Sequence, residues 1–325
     1  MPPRRRSNDK NLPPRVYQKH GAYYFVRPEG NKWIRLGKTE AEMYVALSRL
    51  QRDIDVQEKG MAALFARYEE EVIPQKAPRT QADNKKELAN LGKAFGHMHP
   101  QSVRPVHVYQ YLDARGAIAP VRANREVALL SHVFSYAIRW GAVEANPCRD
   151  IKKHSEKPRK RYVEDWEYRA VYAIAPAIVR AAMEIAVITG MRQGDILALK
   201  RSDLTEAGIP VTQAKTGKKQ IFEWTADLRA AVDQALGIER SIVSMWVFAT
   251  TTGRRYSGSG FQTAWQRLMN HAIEQQIIRE RFTFHDLRAK AGSEAEDGTR
   301  LLGHQNPATT RRIYERKPDK VKPIR

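Results

Sequence analysis

The chemistry of this chain turns on the run Leu301-Leu302-Gly303-His304-Gln305-Asn306-Pro307-Ala308-Thr309-Thr310-Arg311-Arg312-Ile313-Tyr314. A Gly-His pair is followed ten residues later by the only tyrosine after Tyr256. By itself such an aromatic would pack half-buried on a helix. Three upstream segments change that reading. Thr283-Phe284-His285-Asp286-Leu287-Arg288 places a histidine and an arginine three residues apart, so on a helix one phosphate can meet an imidazole and a guanidinium together. In Thr189-Gly190-Met191-Arg192-Gln193-Gly194-Asp195-Ile196-Leu197-Ala198-Leu199, Gly190 turns the chain and delivers Arg192 to the start of a helix with an apolar side of Ile196, Leu197 and Leu199. The guanidinium fork matches two phosphate oxygens and stays charged at working pH, with Asp195 able to support it. Between these lies a hairpin, Gln213-Ala214-Lys215-Thr216-Gly217-Lys218-Lys219. Lys215 stands where strand becomes turn, placed to enter a DNA groove and protonate a departing sugar oxygen.

The bulk composition points to the same partner. Among 325 residues, 56 Lys and Arg against 36 Asp and Glu leave a formal charge of +20, which suits a polyanion. No apolar run reaches the roughly 18 residues of a membrane span, so no membrane partner is expected. The opening Met-Pro-Pro-Arg-Arg-Arg lacks the apolar core of a secretion signal, which predicts a cytoplasmic, nucleoid-associated protein. Cys148 is the single cysteine, excluding an internal disulfide and a cysteine-based zinc site. The nine histidines form no HExxH pair, so neither a metal nor a cofactor is expected.

The pattern of elements predicts a multidomain chain. Residues 1–57 carry Arg4, Arg5 and Arg6 and then short aromatic and β-branched runs punctuated by Gly21, Pro28, Gly30 and Asn31, which read as a small three-stranded antiparallel sheet. A helix follows, capped by Thr39. Residues 58–151 read as an all-α bundle of four or five helices separated by prolines, with one stripe at Met61, Leu64, Phe65, Tyr68 and Val72 and another at Val127, Leu130, Val133, Phe134, Ala137 and Ile138. Residues 152–161 form a basic linker in which Lys152, Lys153, Arg159, Lys160 and Arg161 are candidates to track phosphates. Residues 162–325 read as an α+β domain: a helical stretch at 171–188, strands at 209–211, 221–224 and 246–249, and helices at 261–278, at 285–291 and near the end.

Arg, Lys, His-x-x-Arg, Gly-His and Tyr, in that order, resemble the catalytic set of the tyrosine recombinases, the family of phage integrases and bacterial Xer proteins. Thr-Gly-Met-Arg, Phe-His-Asp-Leu-Arg and Leu-Leu-Gly-His with its following Thr-Thr and Tyr are modest motifs singly and highly specific together. The resemblance covers essentially the whole chain. Residues 162–314 look like the catalytic domain, and 61–150 are similar to the helical core-binding domain. Residues 1–57 resemble an arm-type DNA-binding domain, through Arg4-Arg5-Arg6-Ser7, Asp9, Leu12-Pro13-Pro14 and the Tyr23-Tyr24 strand.

The resemblance implies a site-specific integrase. Arg192 and Arg288 would clamp the scissile phosphate, Lys215 would protonate the leaving 5′ oxygen, and His285 would assist proton transfer at Tyr314. His304 would donate to the phosphate, and Tyr314 would form a 3′-phosphotyrosine. It further implies double-stranded attachment sites, a homotetrameric synapse, a host DNA-bending protein and an excisionase. The alternatives are a Xer-type resolvase of chromosome dimers, a non-catalytic DNA-binding protein on the same fold, and a type IB topoisomerase. Two spacings depart from the family pattern. Arg288 to His304 is 16 residues, several shorter than usual, and His304 to Tyr314 is one longer. A trimmed helix or loop after His-x-x-Arg is the expected consequence.

Overall fold

In the computed structural model the described residues are 11–27, 32–239, 241–318, 321–322 and 324, with the side chains of 51–59 excluded. Arg4, Arg5, Arg6 and the turn residues Pro28, Gly30 and Asn31 lie outside them. The chain divides into two compact units, Met1–Glu156 and Lys157–Arg325. Among the described residues no helix is long and apolar enough to cross a membrane.

The first unit contains two separate apolar cores. The smaller belongs to an antiparallel meander, β1 (Val16–Lys19), β2 (Ala22–Val26) and β3 (Trp33–Gly37), in the order β1-β2-β3. His20 and Gly21 both have positive φ, the geometry of a two-residue hairpin turn. Strand alternation sends Val16, Phe25 and Leu36 to one face, where they meet Met43 and Leu47 of α1 (Glu40–Lys59). The other face carries Tyr17, Tyr24 and Trp33 in ring contact, with Lys19 over the indole. Thr39 starts α1 as expected: its hydroxyl accepts from Glu42 N while the Glu42 carboxylate accepts from Thr39 N.

The larger core joins four helices, α2 (Met61–Glu71), α3 (Pro78–Phe95), α4 (Pro105–Gly116) and α5 (Pro120–Arg139). Three begin on proline, whose missing N–H costs nothing in a first turn. Both expected stripes face inward, apart from Ile138. The next stretch is not a free linker. Asn124 brackets His154, donating to its carbonyl and accepting from its N–H, and also reaches Glu156.

The second unit is built around α7 (Ala177–Thr189), whose Val179, Ala182, Met183, Ile185 and Ala186 are fully buried. The expected single apolar helix at 171–188 is two helices, because Pro176 ends α6 (Asp165–Ile174) and opens α7. Arg192 stands at the N-cap of a short α8 (Gln193–Ile196). The hairpin strands are β4 (Ile209–Thr212) and β5 (Lys219–Phe222), and α9 (Ala226–Leu236) follows. Trp246–Ala249 forms only isolated bridges, Trp246 to Lys200 and Ala249 to Arg255, instead of the expected strand. Next come α10 (Gly258–Glu274), α11 (Phe284–Glu294), α12 (Gly298–Leu302) and α13 (Pro307–Thr309). The short gap before His304 is explained by α12, a helix of only five residues tucked so close that a Cβ on Gly298 would lie 2.2 Å from Gly292 O.

Gly190 sets the direction of the chain into Arg192. Its φ is +63°, and a Cβ there would sit 2.7 Å from Leu302 Cδ2. Gly190→Ala is therefore expected to destabilise the protein by about 2–4 kcal/mol, from left-handed strain plus overpacking. Denaturant midpoints of the two proteins check this, and equal midpoints would contradict it.

Candidate active site

Five of the six residues expected to be catalytic converge. Arg288 is 2% exposed, so its guanidinium is withdrawn from water without a carboxylate partner among the described residues. It is held instead by carbonyls: Nη1 donates to Gly190 O and Nη2 to Leu302 O at 2.7 Å. Both acceptors lie at helix C-termini, where the backbone carries partial negative charge and left-handed glycines, Gly190 and Gly303, turn the chain away. A second Nη2 contact reaches His304 Nε2 at 3.3 Å. Since a guanidinium only donates, Nε2 accepts and the His304 proton sits on Nδ1, donated to Thr310 Oγ1 at 2.8 Å. Loss of hydration and the charges of Arg288, Arg192 and Lys218 push the His304 pKa down to about 4, so the ring is neutral at pH 7.

Tyr314 lies across this group, 8% exposed. Its hydroxyl is 3.2 Å from His285 Nε2, its ring centroid is 4.8 Å from that of His304, and the Arg288 guanidinium carbon sits 5.5 Å from the ring centre. Reduced hydration first, then Arg288, lowers the His285 pKa as well, leaving a neutral imidazole that can accept the phenolic proton. The turn carrying the tyrosine, Thr310–Tyr314, is a π-turn closed by Glu315 N donating to Thr310 O at 3.0 Å. A π-turn accommodates one residue more than an α-turn, which accounts for the long spacing from His304 to Tyr314.

Arg192 joins from α8 and donates to Gln213 Oε1. Gln213 is a member that sequence reasoning missed. Nearly fully buried, it also accepts from Thr216 at 2.8 Å and donates to Gln220 Oε1 at 2.6 Å and Leu302 O at 3.1 Å. It thereby fastens the hairpin to Arg192 and to the end of α12, at the same Leu302 carbonyl that Arg288 uses. The available signal was its place two residues before Lys215, on the strand end facing the interior. Asp195 does not pair with Arg192 as expected. Its Oδ1 accepts from Ala214 N at 3.1 Å and so anchors the hairpin.

Lys215 is exposed on the hairpin turn and adds no contact to the cluster among the described residues. The expected phosphate-tracking cations divide. Lys152, Lys153 and Lys160 are exposed. Arg161 is not available: its side chain is 13% exposed and pairs with Glu167 at 2.5 Å and Glu280 at 3.2 Å. Arg159 is held 3.2 Å from Asp286. Sequence reasoning did not foresee these pairings, of which Glu167 lies six residues from Arg161 and Glu280 and Asp286 lie in distant segments. Among the described residues, no group of three or more His, Cys, Asp or Glu is arranged to hold a metal ion.

Residues 164–320 match the model of the phage integrase family. The chain is 24% identical to the integrase of Enterobacteria phage 434 over 93% of its own length and 94% of that protein. It is 27% identical to the integrase of Escherichia phage HK022 over 70% of each. The tyrosine recombinase XerD of Ralstonia nicotianae is 26% identical over 70% of this chain and 78% of that one. In fold it is similar to a lambda integrase dimer bound to a COC′ core site, with a TM-score of 0.70 and 21% identity over 97% of this chain and 99% of the other. A lambda integrase tetramer bound to a Holliday junction gives 0.69 and 19% over 96% and 99%. With the motif order, the buried arginine and the histidine-facing tyrosine, these likenesses place residues 164–320 in the phage integrase family and make the chain a tyrosine site-specific recombinase.

Proposed function

We propose that this recombinase integrates and excises a phage or other mobile element by cutting and rejoining double-stranded attachment sites through a 3′-phosphotyrosine at Tyr314. The observation that carries this reading is the Tyr314 hydroxyl set 3.2 Å from His285 Nε2, among Arg192, Arg288 and His304. The Tyr314 oxygen attacks phosphorus and its proton passes to His285. The bond from phosphorus to the 5′ oxygen breaks, and that oxygen leaves with a proton from Lys215 on the hairpin turn. One phosphodiester replaces another, so the bond energy is kept for the reverse attack by a 5′ hydroxyl of a second strand. A free phenol ionises only near pH 10, so attack at neutral pH depends on the base and the fixed cations. Arg192 and Arg288 stabilise the negative charge of the phosphorane-like transition state.

In this reading residues 1–57 bind arm-type sites, and residues 58–151 with Lys152, Lys153 and Lys160 close on the core site. Arg4, Arg5 and Arg6 remain sequence-based candidates for the arm contact. Strand exchange requires four protomers, in keeping with the tetrameric lambda integrase on a Holliday junction. A host DNA-bending protein and an excisionase complete the proposed assembly. The matches to whole phage integrases favour this over a Xer-type resolvase or a non-catalytic relative.

Nicked suicide DNA carrying the core site is expected to trap a covalent complex with the wild type, with chelator present, and none with Tyr314→Phe at unchanged DNA affinity. Equal adduct from both proteins would overturn the nucleophile assignment. Removing residues 1–57 is expected to abolish arm-site binding and spare core cleavage, as gel-shift and cleavage assays on separate sites would report.

His304 supplies a pH signature. In the free protein Nε2 accepts from Arg288, and a second ring proton would let Nε2 donate to a phosphate while Nδ1 keeps its bond to Thr310. Bound phosphate offsets the repulsion from Arg288, Arg192 and Lys218 and so raises the pKa from about 4. The complex then holds more protons than the free protein, and affinity for core DNA should tighten as pH falls from neutrality towards about 4. His304→Gln should flatten that slope. Stability of the free protein moves the other way. The unfolded imidazole, near 6.5, takes up its proton first, so stability declines as pH drops from 6.5 towards about 4.

A further inference from the structure

Three side chains outside the phosphate-facing cluster fasten the turn that carries Tyr314. Ser293, in the last turn of α11, donates from Oγ to Tyr314 O at 2.6 Å and accepts from Arg316 N at 2.8 Å. Arg316 folds back along the chain, with Nε donating to Ile313 O at 2.8 Å and Nη1 to Arg161 O at 3.0 Å. Its Nη1 also meets Asp286 Oδ1 at 2.6 Å, in an ion pair whose side chains are 5% and 1% exposed. The other oxygen of Asp286 accepts from Thr283 N and Oγ1, capping α11, and pairs with Arg159.

We propose that Arg316, acting through Asp286 and Ser293, is a positioning residue that holds Tyr314 against His285 within its own protomer and ties the tyrosine turn to the connector residues 159–161. The proposal rests on Tyr314 being the nucleophile. Its geometric basis is a closed ring. His285 and Asp286 are consecutive on the first turn of α11. His285 meets the tyrosine hydroxyl, and Asp286 meets the arginine two residues beyond the tyrosine. The base and the backbone of the nucleophile are thus referenced to the same helical turn from two sides. Besides this ring, the π-turn is held by its backbone closure, by the Thr310 hydroxyl accepting from His304 Nδ1 and by the packing of Ile313 and Tyr314 against Ala289 and Leu302.

An ion pair serving stability alone would have no need to involve the connector. Here Arg161 offers its carbonyl to Arg316 while Arg159 shares Asp286, so a displacement of residues 159–161 strains the same carboxylate that holds the tyrosine turn. The planar guanidinium fork serves Ile313 O, Asp286 and Arg161 O together, which a lysine ammonium can reproduce only in part.

Single-turnover cleavage of suicide core DNA by the full chain tests this, with Arg316→Gln, Arg316→Lys, Ser293→Ala and the double variant Asp286→Asn/Arg316→Gln. The double variant leaves no buried carboxylate stripped of Arg316. Covalent adduct formation at saturating DNA is expected to slow roughly ten- to hundred-fold in Arg316→Gln and Ser293→Ala, as for a displaced reacting group. Core-site affinity should hold, Arg316→Lys should recover part of the rate, and amide exchange should quicken at residues 310–316 and not across the bundle. Unchanged adduct rates in both single variants would overturn the proposal, as would losses that merely track a fall in affinity and melting temperature. Should Arg316→Gln fail to fold, Ser293→Ala decides. Absence of adduct from the wild type would instead overturn the nucleophile assignment, which separates the two failures.

Discussion

A guanidinium buried without a carboxylate partner among the described residues holds the second unit's site together. Placing a charge in the interior is expensive unless it is fully hydrogen-bonded. Arg288 meets that demand in part, through Nη1 and Nη2 on carbonyls at the C-terminal ends of α7 and α12, where the helix dipoles present partial negative charge, while its Nε is left without a partner among the described residues. The two helices must therefore end against each other, and both do so on left-handed glycines, Gly190 and Gly303. From that junction Arg192 departs on one side and His304 on the other. A carboxylate would have held Arg288 more strongly, but it would have neutralised the charge that a phosphate must meet.

The cluster of cations has a second consequence, on the two histidines. Limited hydration and neighbouring arginines keep both imidazoles neutral, which suits each differently. At His285 the neutral ring can accept from the phenol it faces. At His304 it is an acceptor for Arg288 and a donor to Thr310, so the same ring is organised before DNA arrives. An anion entering the site changes the balance of charge, and the proton count of His304 follows it. Electrostatic preorganisation of this kind needs rigid supports, and Gln213, Thr310 and Ser293 are among them.

Much of the architecture was legible because it rests on short-range rules. The alternation in Val16–Val26, the stripes of α2 and α5, the prolines opening α3, α4 and α5, and Thr39 before α1 each act over a few residues. One error was local, and the others arose where distant segments compete. Pro176 split an apolar run that periodicity joined, and Trp246–Ala249 found single bridges in place of a partner strand. Residues 152–156 look like a linker by charge, yet Asn124 ties their backbone to the bundle. Arg159 and Arg161 look like phosphate ligands by charge, yet Arg159 pairs with Asp286 over a hundred residues away, and Arg161 with nearby Glu167 as well as distant Glu280.

The sequence by itself determined which residue types are available for the reaction, and in what order: two arginines, a hairpin lysine, two histidines and a terminal tyrosine. Those follow from side-chain chemistry and the motifs around it. Only the tertiary structure decided that Arg192 leans on Gln213 and not Asp195, and that Arg288 is sunk between two helix ends. It also decided that a π-turn absorbs the extra residue before Tyr314, and that Arg316 reaches back to the residue after His285. Each of these depends on which polar groups are left without partners once the helices pack, and that is settled by contacts between segments far apart in the chain.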